Sequence, residues 1–202
     1  MPEARERNHF GFTQPLPAAF WDGEIDLACV GDALHHVRTR AYSHHIQRLM
    51  ILSNFSNLTQ TDPRDLHRWF YLAYADAYEW VELPNVLGMA TYADGGILAS
   101  KPYIAGGNYV HKMSDACARC AYDVKQKTGD RACPLNYLYW DFVAQHRADF
   151  LENGRVSLAL ITYDKKTEAE KQAIAASAAQ FRQNLPRLDS GWINDRGQSP
   201  DP

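Results

Sequence analysis

The sequence predicts an all-α fold. Three observations lead there: apolar residues recur at helical spacing along most of the chain, helix start signals stand at Asp62-Pro63 and at Thr167, and almost nothing reads as a strand. Residues 1–23 are expected to be irregular, because Pro15, Pro17 and Gly23 interrupt any period. Over 25–39, Leu27, Ala28, Val30, Ala33, Leu34 and Val37 share a helical face. A second helix is expected over 42–55, apolar at Ile46, Leu49, Met50 and Leu52. Asp62 can accept from orphan N–H groups, Pro63 suits the first helical position, and Asp65 favours the positive end of the dipole. That third helix carries Leu66, Trp69, Phe70, Ala73 and Ala77 and is expected to run to Trp80. Pro84 then opens a short helix through Met89.

Residues 91–133 read as loop, with Gly95-Gly96, Pro102 and Gly106-Gly107. Pro134 opens a helix over 135–147 that is apolar almost all round and is therefore expected to be buried. Thr167 and Glu170 form a capping box for a last helix to about 185. The polar tail over 188–202, rich in Gly, Pro and Ser, is expected to be disordered, so 1–187 is read as one domain.

The chain has 202 residues, 46% hydrophobic and 12% aromatic, enough for a sizeable core. Net charge is −3, so no global basic field advertises nucleic acid, and any such contact must use a local patch. No apolar run approaches the ~20 residues that span a bilayer, and MPEARERNHF lacks a signal-peptide core. The expectation is a cytoplasmic protein with no membrane contact, in a compartment where thiols stay reduced.

Cys29, Cys117, Cys120 and Cys133 are all the cysteines, and the last three read C-x2-C-x12-C-P. Two thiolates three positions apart can grip one centre, and a third from a loop and a fourth from a distant helix complete a four-sulfur cage. Zinc and an iron–sulfur cluster both suit this spacing, and two disulfides or four unrelated buried thiols are the plainer alternatives.

Chemistry also gathers elsewhere. His44 and His45 are adjacent on a helix, so their side chains diverge by about 100° and only one can face a given pocket. Imidazole titrates near neutral pH and suits general acid work, whereas an interior and a surface histidine would be the structural reading. Asp76 and Glu82 lie in an aromatic, apolar stretch, where a carboxylate needs a partner; Arg48 is the candidate. Such a pair could hold a polar ring or be a structural salt bridge. Trp21, Trp69, Trp80, Trp140, Tyr103 and Tyr109 supply aromatic surface that would otherwise be core. Over 101–131, Lys101, Lys112, Arg119, Lys125, Lys127 and Arg131 face only Asp115, Asp123 and Asp130, a local basic excess that suits phosphates or a solvated loop.

In order, AYSHHIQRLM, YADAYEWVELPNVLGM, ADGG, SKPY, GGNYVHKMSD and C-x2-C-x12-CPLNYLYWDF resemble the bacterial cryptochrome/photolyase family that carries a [4Fe–4S] cluster, the prokaryotic (6-4) photolyases. The resemblance covers residues 11–164 and only the C-terminal part of a family member. It implies the C-terminal part of a helical FAD-binding domain, without the antenna domain, the linker and the first helices of the flavin domain. The opening Met1-Pro2-Glu3 reads as a start inside the family sequence, which implies a fragment, an incomplete FAD site, exposed apolar patches and a separately encoded N-terminal half as partner.

The resemblance also implies roles. Cys29, Cys117, Cys120 and Cys133 would hold the [4Fe–4S] cluster. Arg48 and Asp76 would pair beside the flavin and Glu82 would lie near it. His44 and His45 would face the lesion, with His45 preferred for proton transfer, and Tyr103 would sit close to the flipped-out base. Trp69 would donate electrons to the flavin, with Trp21 and Tyr109 as further candidates, while Phe70 departs from the tyrosine expected beside that tryptophan. Lys101 and Lys112 would contact UV-damaged DNA. The implied activity is light-driven repair of a (6-4) pyrimidine photoproduct by electron transfer from reduced FAD. A cryptochrome-like blue-light photoreceptor and a non-catalytic metal-binding fragment are the alternatives.

Overall fold

Helix packing around one nearly enclosed helix organises the protein. The computed structural model describes residues 5–187; the predicted tail and the first residues lie outside them. In chain order the helices are α1 (Ala19–Asp22), α2 (Ala28–Arg40) and α3, the last built from His45–Gln47, a π-helical Arg48–Ser53 and Asn54–Leu58. They continue with α4 (Pro63–Ala73) and α5, in which Glu79–Glu82 runs into a π-helical Leu83–Ala90. Then come α6 (Gly107–Met113), a 3₁₀ turn at Ala116–Arg119, α7 (Pro134–Gln145), α8 (Arg147–Glu152), α9 (Ser157–Asp164) and α10 (Glu168–Asn184). Among the described residues there is no strand beyond three isolated bridges.

The apolar α7 has little solvent face. Leu135, Tyr137, Leu138, Phe142 and Val143 are buried, and α10, α9, α8, α6 and the end of α3 surround it. The capping signals behave as their chemistry dictates. Asp62 accepts from the Arg64 N–H at 2.9 Å, and Thr167 and Glu170 exchange both bonds of a capping box.

Several boundaries differ from expectation. The third helix stops at Ala73, not Trp80, because Tyr74 is extended (φ −109°, ψ 133°) and the chain then turns past Asp76. Pro84 does not open a helix but sits inside α5, at the start of its π-helical stretch, where the wider turn dispenses with its missing N–H. The 91–133 loop contains α6, and α8 and α9 occupy a stretch for which no helix was expected.

The end of α3 also runs past 55, through a polar stretch that is fully buried. Ser53, Asn54, Ser56, Asn57, Thr59 and Thr61 have almost no exposed surface. Asn54 clamps Ala105 from both sides: its Nδ2 donates to the Ala105 carbonyl at 3.0 Å and its Oδ1 accepts from the Ala105 N–H at 2.9 Å. Asn57 Nδ2 donates to the Ala90 carbonyl at 2.8 Å. These amides tie the 99–106 loop and the end of α5 to α3, satisfying backbone groups that no helix or sheet provides for. Asn54→Ala is expected to cost about 2–3 kcal/mol in urea unfolding, because it orphans a buried donor and acceptor together. Thr167→Ala, which removes only an exposed cap, should cost about 1 kcal/mol.

Candidate functional site

All four thiols line one small apolar cavity, together with Leu27, Gly107, Val110, Ala116, Tyr122, Val124 and Leu135. Cys29 sits in the first turn of α2, Cys117 in the 3₁₀ turn, Cys120 just after it, and Cys133 at the N-cap of α7. Two devices hold these segments together. Arg119 donates bidentately to Asp32 of α2, at 2.8 and 2.5 Å, which fastens the 3₁₀ turn to the helix bearing Cys29. Asn136 Oδ1 accepts from the Gly107 N–H at 2.9 Å while its Nδ2 donates to the Val124 carbonyl at 2.8 Å, so one side chain joins α6, the 120s loop and α7. Gly107 has to be glycine here: a Cβ would stand 2.6 Å from Cys133 Sγ.

All four cysteines are free thiols. Burial, with its neighbours' sulfurs adding, pushes the Cys29 thiol up to about 12, and burial pushes Cys133 up to about 11. Cys117 is raised for the same reason. Among the described residues no group of three or more Cys, His, Asp or Glu side chains closes on a single metal-ion position.

A second polar centre lies beyond the other end of α2. The Arg48 Nη2 donates to both Asp76 oxygens, at 3.1 and 2.8 Å, and its Nε donates to the Ser43 carbonyl at 2.9 Å. The guanidinium lies over the Tyr74 ring, 4.2 Å from its centroid, and 5.1 Å from that of Tyr42. Arg48 is the first residue of the π-helical part of α3, and Glu82 is the last before that of α5; these two wide turns pack together. Tyr42 beside Arg48 is exposed, as are Ile46 on α3 and Tyr71, Leu72, Tyr78 and Trp80 at the end of α4 and the start of α5, Trp80 at 79%.

No family model matches the chain. A (6-4) photolyase of Agrobacterium fabrum (strain C58 / ATCC 33970) is 45% identical over 184 residues, which is 91% of this chain and 36% of that protein. The chain belongs to the (6-4) photolyase family. It is also similar to Uncharacterized protein R855 of Acanthamoeba polyphaga mimivirus, 33% identical over 136 residues, 67% of this chain and 100% of the viral protein. The chain thus spans 36% of the length of the bacterial photolyase it matches. No described helix is long and apolar enough to cross a membrane.

Within this chain the expected residues fall into place unevenly. Arg48 and Asp76 are paired, but Asp76 is 51% exposed and not in the apolar surroundings expected of it, because α4 ends before it. Glu82 is buried. His44 caps α3: its Nδ1 accepts from the Ile46 N–H at 3.2 Å, and its own N–H donates to Gln47 Oε1. His45, the first residue of α3, is exposed. Tyr103 packs on Leu49, Met50, Ala90 and Ala105, with the Lys101 ammonium 6.0 Å from its ring. Trp69 is buried, and its indole N–H donates to the Phe20 carbonyl at 2.9 Å. Phe70 fills the core beside it, 5.2 Å away and stacked on Tyr74. Trp21 and Tyr109 are half-buried against the main core. Lys112 is exposed on α6. Arg119 leaves the expected phosphate patch, since both its terminal nitrogens are committed to Asp32.

Sequence reading missed Asn136 and Gly107, which shape the thiol cavity, and Ser43 and Tyr74, which surround Arg48. The only signal for them was their place inside the long motifs.

Burial raises the Glu82 carboxyl above its ordinary value of 4.5, with Arg48 opposing and Asp76 reinforcing. A raised carboxyl means that the folded protein holds its proton longer than the unfolded chain does. Ionising Glu82 therefore lowers stability as pH climbs from about 4.5 through the raised value. Glu82→Gln should raise the urea midpoint at pH 7 and give no gain at pH 4; an equal gain at both would exclude this electrostatic cause.

Proposed function

We propose that this chain forms the cofactor- and lesion-facing part of a light-dependent DNA-repair photolyase acting on (6-4) pyrimidine photoproducts. The observation that carries the reading is the meeting of Cys29, far away in sequence, with the other three thiols on one apolar cavity, in a chain 45% identical to a (6-4) photolyase. An all-sulfur donor set on one apolar cavity suits a [4Fe–4S] cluster, the group that the family resemblance implies. Cys29, Cys117, Cys120 and Cys133 would hold it, remote from the Arg48 centre.

The residues at the second centre fit FAD: a half-buried guanidinium already oriented by a carboxylate, a buried carboxyl close by, and aromatic surface around them. FAD in its reduced, light-excited form supplies the electron that opens the lesion. Arg48 and Asp76 would orient the ring and Glu82 would lie near its edge. His45, whose ring is free of the capping bond that occupies His44, is the candidate to deliver a proton to the lesion. Tyr103 would offer its face to the flipped-out base, with Lys101 and Lys112 toward the phosphates. Trp69 would refill the flavin, with Trp21 and Tyr109 as further steps. The exposed apolar side chains at the end of α4 and the start of α5 support a partner surface for the rest of such a photolyase.

Protein purified without oxygen is expected to contain about four iron and four sulfide per chain, with broad brown absorbance. Cys29→Ala should abolish it, and Gly107→Ala should reduce loading several-fold while leaving the helical circular dichroism intact. Together with a polypeptide corresponding to the rest of the photolyase, the chain should repair lesion-bearing DNA under blue light, and His45→Ala should lose at least 100-fold in repair. Flavin photoreduction without repair in that assay would favour a photoreceptor. Zinc without iron or sulfide would overturn the cluster assignment.

A further inference from the structure

We infer that Ser43 and Tyr74 are positioning residues that lock Arg48 into the orientation in which it meets Asp76, an inference that rests on the flavin reading of that centre. An ion pair whose carboxylate is half exposed holds its partner weakly by itself, because water competes for both groups. Arg48 is nevertheless gripped from several sides. Its Nε is committed to the Ser43 carbonyl at 2.9 Å and its guanidinium lies 4.2 Å from the Tyr74 centroid.

Those two contacts are themselves joined. The Tyr74 hydroxyl and Ser43 Oγ share a hydrogen bond of 2.7 Å, and both residues are buried. The Ala75 N–H donates to the Ala41 carbonyl at 2.9 Å, so the backbones on either side of the pair are stitched together as well. Tyr74 in turn cannot swing away, because its ring is stacked 5.0 Å from Phe70 and meets Trp69 edge-on at 5.8 Å. The result is a closed circuit: Ser43 carbonyl to Arg48, Arg48 to the Tyr74 face, and Tyr74 hydroxyl back to Ser43. Asp76 stands outside this circuit and receives a guanidinium whose plane is already set. The same tyrosine touches Trp69 and Arg48, so the packing that fixes the proposed electron donor also fixes the proposed cofactor contact.

The test uses the full chain, with Tyr74→Phe, Tyr74→Leu and Ser43→Ala. In flavin-free protein, hydrogen exchange at Arg48 Nε–H is followed by nitrogen-15 NMR. Tyr74→Leu should speed it about 10-fold, the size expected on losing a desolvated cation–π contact, with the remaining amide spectrum preserved. Tyr74→Phe, which keeps the ring and loses the hydroxyl, should speed it only about 3-fold, and Ser43→Ala should match it. FAD affinity should fall about 10-fold in Tyr74→Leu and not fall further when Tyr74→Leu is added to Arg48→Ala. Unchanged Nε–H exchange in the Tyr74 variants, or an equal loss of affinity in the Arg48→Ala background, would overturn the lock. If Tyr74→Leu does not fold, the Tyr74→Phe and Ser43→Ala pair decides by whether their effects on exchange are the same and non-additive. FAD affinity is measured with the polypeptide corresponding to the rest of the photolyase present; a wild-type assembly that binds no FAD removes the flavin reading instead, and the exchange measurement then decides the lock by itself.

Discussion

A helix without a polar face has to be enclosed, and α7 imposes that constraint on everything around it. Its buried side chains point in nearly all directions, so helices must approach from several sides: α10 along one flank, α8 and α9 along another, α6 and the end of α3 across the rest. Apolar area hidden in this way is the main favourable term in folding. The enclosure also fixes where α7 begins. Pro134 at its first position leaves Cys133 at the N-cap, which places that sulfur at the edge of the packed core, facing the turn that carries Cys117 and Cys120.

Two centres then stand at opposite ends of α2. Cys29 is near its start, and the chain leaves its end at Arg40, turns at Ala41 and reaches Ser43 and Arg48. The rise of an α-helix separates the two ends by about 17 Å, too far for direct contact. At one end the four thiols and the Arg119–Asp32 pair meet α2, while Arg48 stands where π-helical turns widen two neighbouring helices. The buried amides of Asn54 and Asn57 keep those irregular stretches from being left with unpaired backbone groups.

Exposed apolar side chains on the neighbouring segments contrast with this burial inside. Trp80, Tyr78, Leu72 and Tyr71 lie where α4 has ended and α5 begins, so neither helix covers them.

By itself the sequence determined what depends on local rules and on the types of donor present. Asp62-Pro63 and Thr167–Glu170 start helices because a side chain two or three residues away caps them. Residues 135–143 are buried because no face of that helix is polar, and four cysteines in a helical chain announce a sulfur site. Tertiary structure decided the rest, where the partner is distant in sequence. The second helix was expected to end near 55, yet it continues to Leu58 through a buried polar stretch, where Asn54 and Asn57 serve backbone groups far along the chain. Trp80 reads as core and is exposed, because one extended residue at Tyr74 ended α4 early. Arg119 reads as a free cation and is spent on Asp32, and no spacing rule connects positions 32 and 119. Periodicity and capping act over a few residues; pairing across the fold is settled only when the helices have packed.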